Sequence, residues 1–334
     1  MQRIKRRWLV WLISFAALAL VLAGCGNDDA DEGENEDQVG QDMEATQPLD
    51  TSSNKVIASY EGLTSGEVTE GEFNLSLNVL TVMNPQVAML LSQPEFKDEL
   101  LTQYIAQKSI SESVELSDAL TDEVDQLVDG FKSQVEQTLP EDQDFAAFVE
   151  EKGFSEEDLR NFVVDNMKVE QHFTDAITDQ DLAEAYDELK EEKDLRLYSA
   201  KIRHILIEMN EERDEEEAKK RAEEVKQKLD EGGDFATLAE EYSDDGSKEN
   251  GGLLGEEPQP LAGYVPEFAE AARDLPLDEI SDPVQSQFGF HIIKVEQREQ
   301  LALDDVKEIV QGDLMNERYQ YYVDNDLKID TENL

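Results

Sequence analysis

The sequence predicts an α+β fold: a small sheet domain inserted in a mainly helical domain formed by both chain ends. Three features of the chain point there. Residues 197–298 run in the order β-α-α-β-α-β-β, which suits a compact four-stranded antiparallel sheet with surrounding helices. Residues 55–196 read as a succession of capped helices. After Gln300 a helical period returns, from Asp304 to about Tyr322, with an apolar stripe (Val306, Ile309, Val310, Leu314) that has nothing of its own to bury against. That stripe is expected to pack back onto the N-terminal helices, so residues 299–334 would complete the helical domain.

The elements follow from local signals. Val56 to Tyr60 is a short apolar strand candidate. Thr69-Glu70-Gly71-Glu72 fits a capping box and opens a helix carrying Phe73, Leu77 and Leu80, which Asn84-Pro85 ends. Phe96 to Leu116 has helical spacing through Leu100, Leu101, Ile105 and Ile110. Thr121 starts another helix through Val124, Leu127 and Phe131, and Phe145, Phe148 and Val149 sit on a short one. Ser155-Glu156-Glu157-Asp158 caps a longer helix with Leu159, Val163, Met167 and Phe173. Thr178 caps the next, through Leu182, Ala185 and Leu189. These apolar sets read as core packing. His172, near a helix end, would serve the helix dipole as a cation.

In the sheet domain, Ala200 to Met209 is a strand. Asp214 to Asp230 is a charged amphipathic helix stopped by Gly232-Gly233, and Asp234 caps a second helix with Phe235, Leu238 and Tyr242. A Gly-, Asp- and Ser-rich loop leads to a short strand at Gly252 to Gly255. Val265-Pro266 opens a helix through Phe268 and Ala272. Asp282-Pro283-Val284 is an edge strand, and Phe290 to Glu296 the last one.

The chain has three histidines, and two of them, His204 and His291, sit in apolar, strand-like runs of matching design. A polar ring in such a run needs a hydrogen-bond partner, and the simplest solution is that the two rings meet each other or shared neighbours across the sheet. Asp245-Gly246 also reads as an ordinary turn dipeptide. Gly251 to Gly255 is no phosphate loop, because no Gly-Lys-Ser/Thr follows. No zinc spacing, Cys-His pair or Ser-His-Asp order stands out, so neither a metal nor a cofactor is expected.

Residues 1–24 begin with Arg3, Lys5, Arg6 and Arg7 and continue as an apolar run from Trp8 to Leu22. That run is about fifteen residues, short of the roughly 20 a membrane span needs. A spanning anchor with an incidental cysteine is the competing reading. Leu22-Ala23-Gly24-Cys25 resembles the lipobox of bacterial lipoproteins, which implies a signal peptide and lipidation at Cys25. Cys25 is the sole cysteine, so no internal disulfide can form. Residues 25–54 are acidic and poor in large apolar side chains, and read as a disordered tether. The chain carries 80 acidic against 29 basic residues, a net charge of −51. Losing the four basic leader residues takes it to −55. That sign argues against nucleic-acid partners and suits a salty or alkaline exterior.

Five blocks in order across residues 197–298 resemble a parvulin-type peptidyl-prolyl isomerase domain: R-H-I-L-I, F-A-T-L-A-E-E-Y-S-D-D-G-S, G-G-L-L-G, V-P-E-F and P-V-Q-S-Q-F-G-F-H-I-I. In layout, the whole chain resembles the PrsA-type foldase lipoproteins, related to the periplasmic chaperone SurA. The resemblance implies that His204 and His291 are the paired sheet histidines, that Asp245 lies near the prolyl nitrogen, and that Ser286 hydrogen-bonds within the histidine network. It makes Leu254, Tyr264 and Phe268 the proline-binding wall. Tyr264 stands where the family more often has Met, and Arg273 where an apolar residue is usual, which implies a reshaped site and a weakened core wall.

The resemblance implies a foldase at the cell membrane, lipid-anchored and facing the extracytoplasmic side. It would isomerise Xaa-Pro bonds in unfolded or partly folded exported polypeptides. A client-binding chaperone that has lost catalysis is the alternative. A solute-binding lipoprotein is a third reading, and the helix-rich flanks argue against the two α/β lobes it requires. Exposed apolar residues at the helical ends leave room for a homodimer.

Overall fold

Caps and apolar spacing set the elements of the N-terminal half. The computed structural model describes residues 47–331 apart from Glu141. Strands β1 (Val56–Glu61) and β2 (Ser65–Thr69) form an antiparallel hairpin. Thr69 ends β2 and caps α1 (Glu70–Met83): its hydroxyl accepts the Glu72 N–H, and the Glu72 carboxylate accepts the Thr69 N–H. Asn84 caps α2 (Pro85–Leu90), with proline at the first turn, where no amide donor is needed. Helices α3 (Pro94–Ser111), α4 (Asp118–Glu136), α5 (Phe145–Glu151) and α6 (Glu156–Ala176) follow, the last opened by a second capping box at Ser155 and Asp158. α3 stops short of Leu116, which packs instead with Val124 and Val163. Phe73 and Leu77 of α1, Leu101 and Ile105 of α3, and Ile57 of β1 share one core cluster. His172 differs from its expected role: burial pushes its pKa down, toward the neutral ring, with Asp175 opposing.

The end of the expected tether is docked. Leu49 packs on the first core cluster, its N–H donates to Asn78 Oδ1 at 2.9 Å, and its carbonyl accepts from Asn78 Nδ2 at 3.1 Å. Asn74 donates to the Asp50 carbonyl, and the Gly71 N–H to that of Ser53. Two asparagines buried on α1 therefore hold a segment whose composition alone reads as disordered. Cys25 and the rest of the tether lie outside the described residues.

The second half builds the sheet. Thr178 caps α7 (Asp179–Glu191). Strand β3 (Tyr198–Glu208) leads to α8 (Glu215–Asp230) and α9 (Phe235–Tyr242), capped by Asp214 and Asp234. Then come β4 (Gln259–Pro260), α10 (Pro266–Asp274), β5 (Val284–Ser286) and β6 (Gly289–Gln300). The sheet is antiparallel in the order β4-β3-β6-β5. On one face Ile205, Ile207, Phe290 and Ile292 pack with side chains of α8 and α9; on the other Ile202, Ile293 and Val295 pack with α10. Cover on both faces explains why β3 and β6 read as near-continuous apolar runs.

The fourth strand is not Gly252 to Gly255. Gly252 has φ +78, outside extended geometry, and a side chain there would run into the His204 carbonyl. The segment docks on β3 by single bonds instead: His204 N–H to the Gly252 carbonyl at 2.8 Å, and Leu254 N–H to the Ile202 carbonyl at 3.0 Å.

Helix α11 (Lys307–Tyr321) and β7 (Lys328–Asp330) close the chain. β7 pairs with β1, giving a sheet of order β2-β1-β7. Tyr322 donates its hydroxyl to Ser109 Oγ at 2.7 Å and accepts the Leu63 N–H. The chain divides into two units: residues up to Ile177 with those from Met315 onward, and Thr178–Leu314. The second unit reaches beyond 197–298 to include α7, whose Tyr186 donates to the Leu301 carbonyl at 2.7 Å.

Candidate active site

The register of β3 and β6 sets His204 opposite Ile293 and His291 opposite Leu206. The histidines are thus diagonal neighbours on the face that α10 covers, within reach of each other. Their Nδ1 atoms are 3.3 Å apart and their rings stack at 5.5 Å, each residue being 5% exposed. Ser286 of β5 lies at the far side of His291, with Oγ 2.8 Å from Nε2. At the far side of His204, Nε2 is 3.1 Å from Asp245 Oδ1, though off the direction of an aligned hydrogen bond.

Burial and hydrogen bonding limit where the protons can sit. Burial pushes His291 down to about 4, with His204 adding and Asp245 opposing, so the ring is neutral at neutral pH. His204 beside Asp245 holds that carboxyl well below the usual carboxylate range; burial works against this, and bonds from Ser247 reinforce it. An ionised carboxylate beside His204 Nε2 favours a proton there. A neutral His291 carries one proton on its two nitrogens, so it donates toward one of His204 Nδ1 and Ser286 Oγ and accepts from the other. Ser286 Oγ in turn accepts the Phe288 N–H at 3.1 Å. The polar contacts run in one line from Ser286 through both rings to Asp245. Asp245 also caps a tight turn by accepting the Ser247 N–H at 2.8 Å, so its turn role and its place beside His204 coexist in one carboxylate.

Phe268 of α10 stands edge-on to both imidazoles, 5.6 Å from His204 and 5.2 Å from His291, and is 2% exposed. Tyr264 lies 5.1 Å from Phe268, and Tyr264 and Leu254 are half-buried against the same cluster. Phe268 is therefore committed to holding the histidines, and the apolar surface left for a ligand comes from Tyr264 and Leu254. Arg273 does not weaken the core. Its guanidinium donates to the Lys193 carbonyl at 2.8 Å and pairs with Asp274, while Phe268, Ala269 and Ala272 form the buried face of α10. All seven candidate residues of the sheet domain converge here; Cys25 lies outside the described residues.

Sequence reasoning passed over three supports. Ser243 is buried and accepts the N–H groups of Leu206 and Asp245. Asp244 pairs with Arg213, tying the loop before α8 to the Asp245 loop. Gly252 lets that loop approach the His204 backbone. The Tyr242-to-Ser247 block stood out in the sequence, but nothing local ranked its members.

A family model for the PPIC-type PPIase domain (rotamase) matches residues 204–297. The foldase protein PrsA of Oceanobacillus iheyensis is 35% identical over 245 residues, covering 68% of this chain and 73% of its own. The chain belongs to the PrsA foldase family. It carries a peptidyl-prolyl isomerase domain of the PPIC type. The PrsA of Halalkalibacterium halodurans is 29% identical over 323 residues, covering 94% of this chain and 79% of its own. Among solved structures, peptidylprolyl isomerase PrsA from Bacillus cereus is similar with a TM-score of 0.44 and 26% identity, over 76% of this chain and 83% of that one.

Proposed function

We propose that this foldase is lipid-anchored at Cys25, on the extracytoplasmic face of the cell membrane, and that it isomerises Xaa-Pro bonds in exported polypeptides that are unfolded or partly folded. The observation that carries the catalytic part is the line of buried Ser286, His291 and His204 ending at the half-buried Asp245 and backed by Phe268. Leu22-Ala23-Gly24-Cys25 supports the anchor, and the acidic run after it supports a spacer from the membrane.

The reaction needs no covalent step. Amide resonance sets a barrier of about 18–20 kcal/mol and places negative charge on the carbonyl oxygen of the planar bond. Twisting the bond reduces that charge. An ionised carboxylate facing the client carbonyl, rather than the prolyl nitrogen as the resemblance implies, repels the planar form more than the twisted one, and only such a difference lowers the barrier. Asp245 would supply the charge. Tyr264 and Leu254 would hold the proline ring, while the imidazoles and Phe268 fix the floor and carry no proton in the step. Left uncatalysed, the isomerisation takes tens to hundreds of seconds.

A client-binding chaperone without catalysis is the second reading. Phe268 favours it, because a ring 2% exposed leaves little apolar wall for proline. Refolding of a proline-limited protein separates the two. An isomerase speeds the slow phase and Asp245→Ala abolishes the gain; a chaperone raises the yield without changing the rate, and Asp245→Ala leaves that yield intact. For the anchor, Cys25→Ser should move the protein from the membrane fraction to the medium, and its retention would contradict lipid attachment.

A further inference from the structure

The segment before β1 crosses α1 as an extended chain, and the polar groups that hold it address its main chain. Asn78 Oδ1 accepts the Leu49 N–H, and Asn78 Nδ2 donates to the carbonyl of the same residue. Asn74 donates to the Asp50 carbonyl at 2.8 Å, and the Gly71 N–H to the Ser53 carbonyl at 3.0 Å. The surface is cut to admit a backbone: a side chain on Gly71 would run into the Thr51 and Ser53 carbonyls, and one on Gly153 into Pro48. Side chains of the segment contribute little. Leu49 packs on the core, and Ser53 Oγ donates to the Glu70 carboxylate at 2.7 Å. Pro48, Asp50, Thr51 and Ser52 are exposed.

Main-chain bonds of this kind give affinity whatever the sequence, and a side-chain pocket adds selection. Here the pocket takes one large aliphatic side chain, that of Leu49. With so few apolar contacts the segment opens locally at low cost. Opening leaves Asn74 and Asn78, 8% and 4% exposed, short of partners, and another extended chain would restore the same bonds. We propose that this face of α1 is a polypeptide-binding groove, that residues 48–53 fill it from within the same chain, and that an extended client segment carrying a leucine or similar residue displaces them. The inference rests on the client-handling part of the proposed function and is independent of catalysis at Asp245.

The test uses the full chain and a labelled peptide of the segment, Gln47 to Lys55, followed by fluorescence anisotropy. Leu49→Asp releases the chain's own segment, an intramolecular competitor, and should tighten peptide binding about tenfold or more over the wild type. Adding Asn78→Ala to that variant should abolish the gain, and a peptide with aspartate in place of its leucine should not bind. Reduced, carboxymethylated α-lactalbumin, an unfolded chain that is itself acidic, should compete with the peptide. Hydrogen exchange on the wild type gives a second reading that needs no variant. The Leu49 amide should exchange at least about a hundredfold faster than those of Leu77 and Ile105, and faster still with the unfolded chain present. Equal peptide affinity in the wild type and in a normally melting Leu49→Asp chain would overturn the inference, as would a Leu49 amide as protected as the core. Peptide binding for which the unfolded chain does not compete would make the segment a structural latch, and would also overturn it. Xaa-Pro exchange is measured separately, so its absence would refute the isomerase reading and not this one.

Discussion

Mild acid should destabilise the sheet unit through His291. The ring is buried and held at about 4, against an ordinary value of 6.5. Below that ordinary value the unfolded chain binds a proton that the folded ring refuses. Stability is therefore full above about pH 6.5, falls as pH drops, and levels off below about 4, the loss between about pH 7 and about pH 5 being about 2 kcal/mol. Asp245 has a lowered pKa, so its contribution is lost only below the ordinary carboxylate value of about 4, a separate window. With three histidines in the chain, ring C–H signals can be assigned by substitution and titrated by NMR. Urea unfolding at the two pH values, for wild type and for His291→Asn, isolates the energy, because asparagine cannot take the proton and the other groups cancel. The wild type should lose about 2 kcal/mol more than the variant. A His291 signal that titrates near 6.5, or a variant that loses as much as the wild type, would refute the buried neutral ring.

Two further outcomes follow from other parts of the molecule. Gly252→Ala forces a side chain toward the His204 carbonyl at positive φ and should destabilise the second unit by about 2 kcal/mol or more, read as a lower thermal midpoint. A net charge of −51 makes self-repulsion large, so the thermal midpoint should rise by at least about 3 °C from low to molar salt, and an unchanged midpoint would remove the argument for a saline exterior.

What was legible in the sequence was local chemistry. The capping boxes at Thr69, Ser155 and Thr178 are four-residue signals, and each opens a helix where it stands. The histidines were legible because a polar ring in an apolar strand demands a partner, although their diagonal placement depends on a register that a bulge after Lys201 shifts. Strands β2 and β7 were not legible: Ser65–Thr69 and Lys328–Asp330 are short and polar, and β7 exists through pairing with β1 across nearly the whole chain. The docking of Leu49 was hidden for a similar reason, since its partners are asparagines whose helical positions give no sign of what they bind. Phe268 was recognisable as wall, but its near-complete burial against the imidazoles comes from how α10 seats on the sheet.

Cis/trans exchange of a Xaa-Pro peptide, followed by NMR with the full chain and its Asp245→Ala and His291→Ala forms, tests the account most directly. Accelerated exchange that falls sharply in Asp245→Ala, and falls in His291→Ala as the floor of the site loosens, is the predicted result. No acceleration by a folded wild-type chain, or acceleration unchanged in Asp245→Ala, would contradict a catalytic role for the Ser286–His291–His204–Asp245 chain.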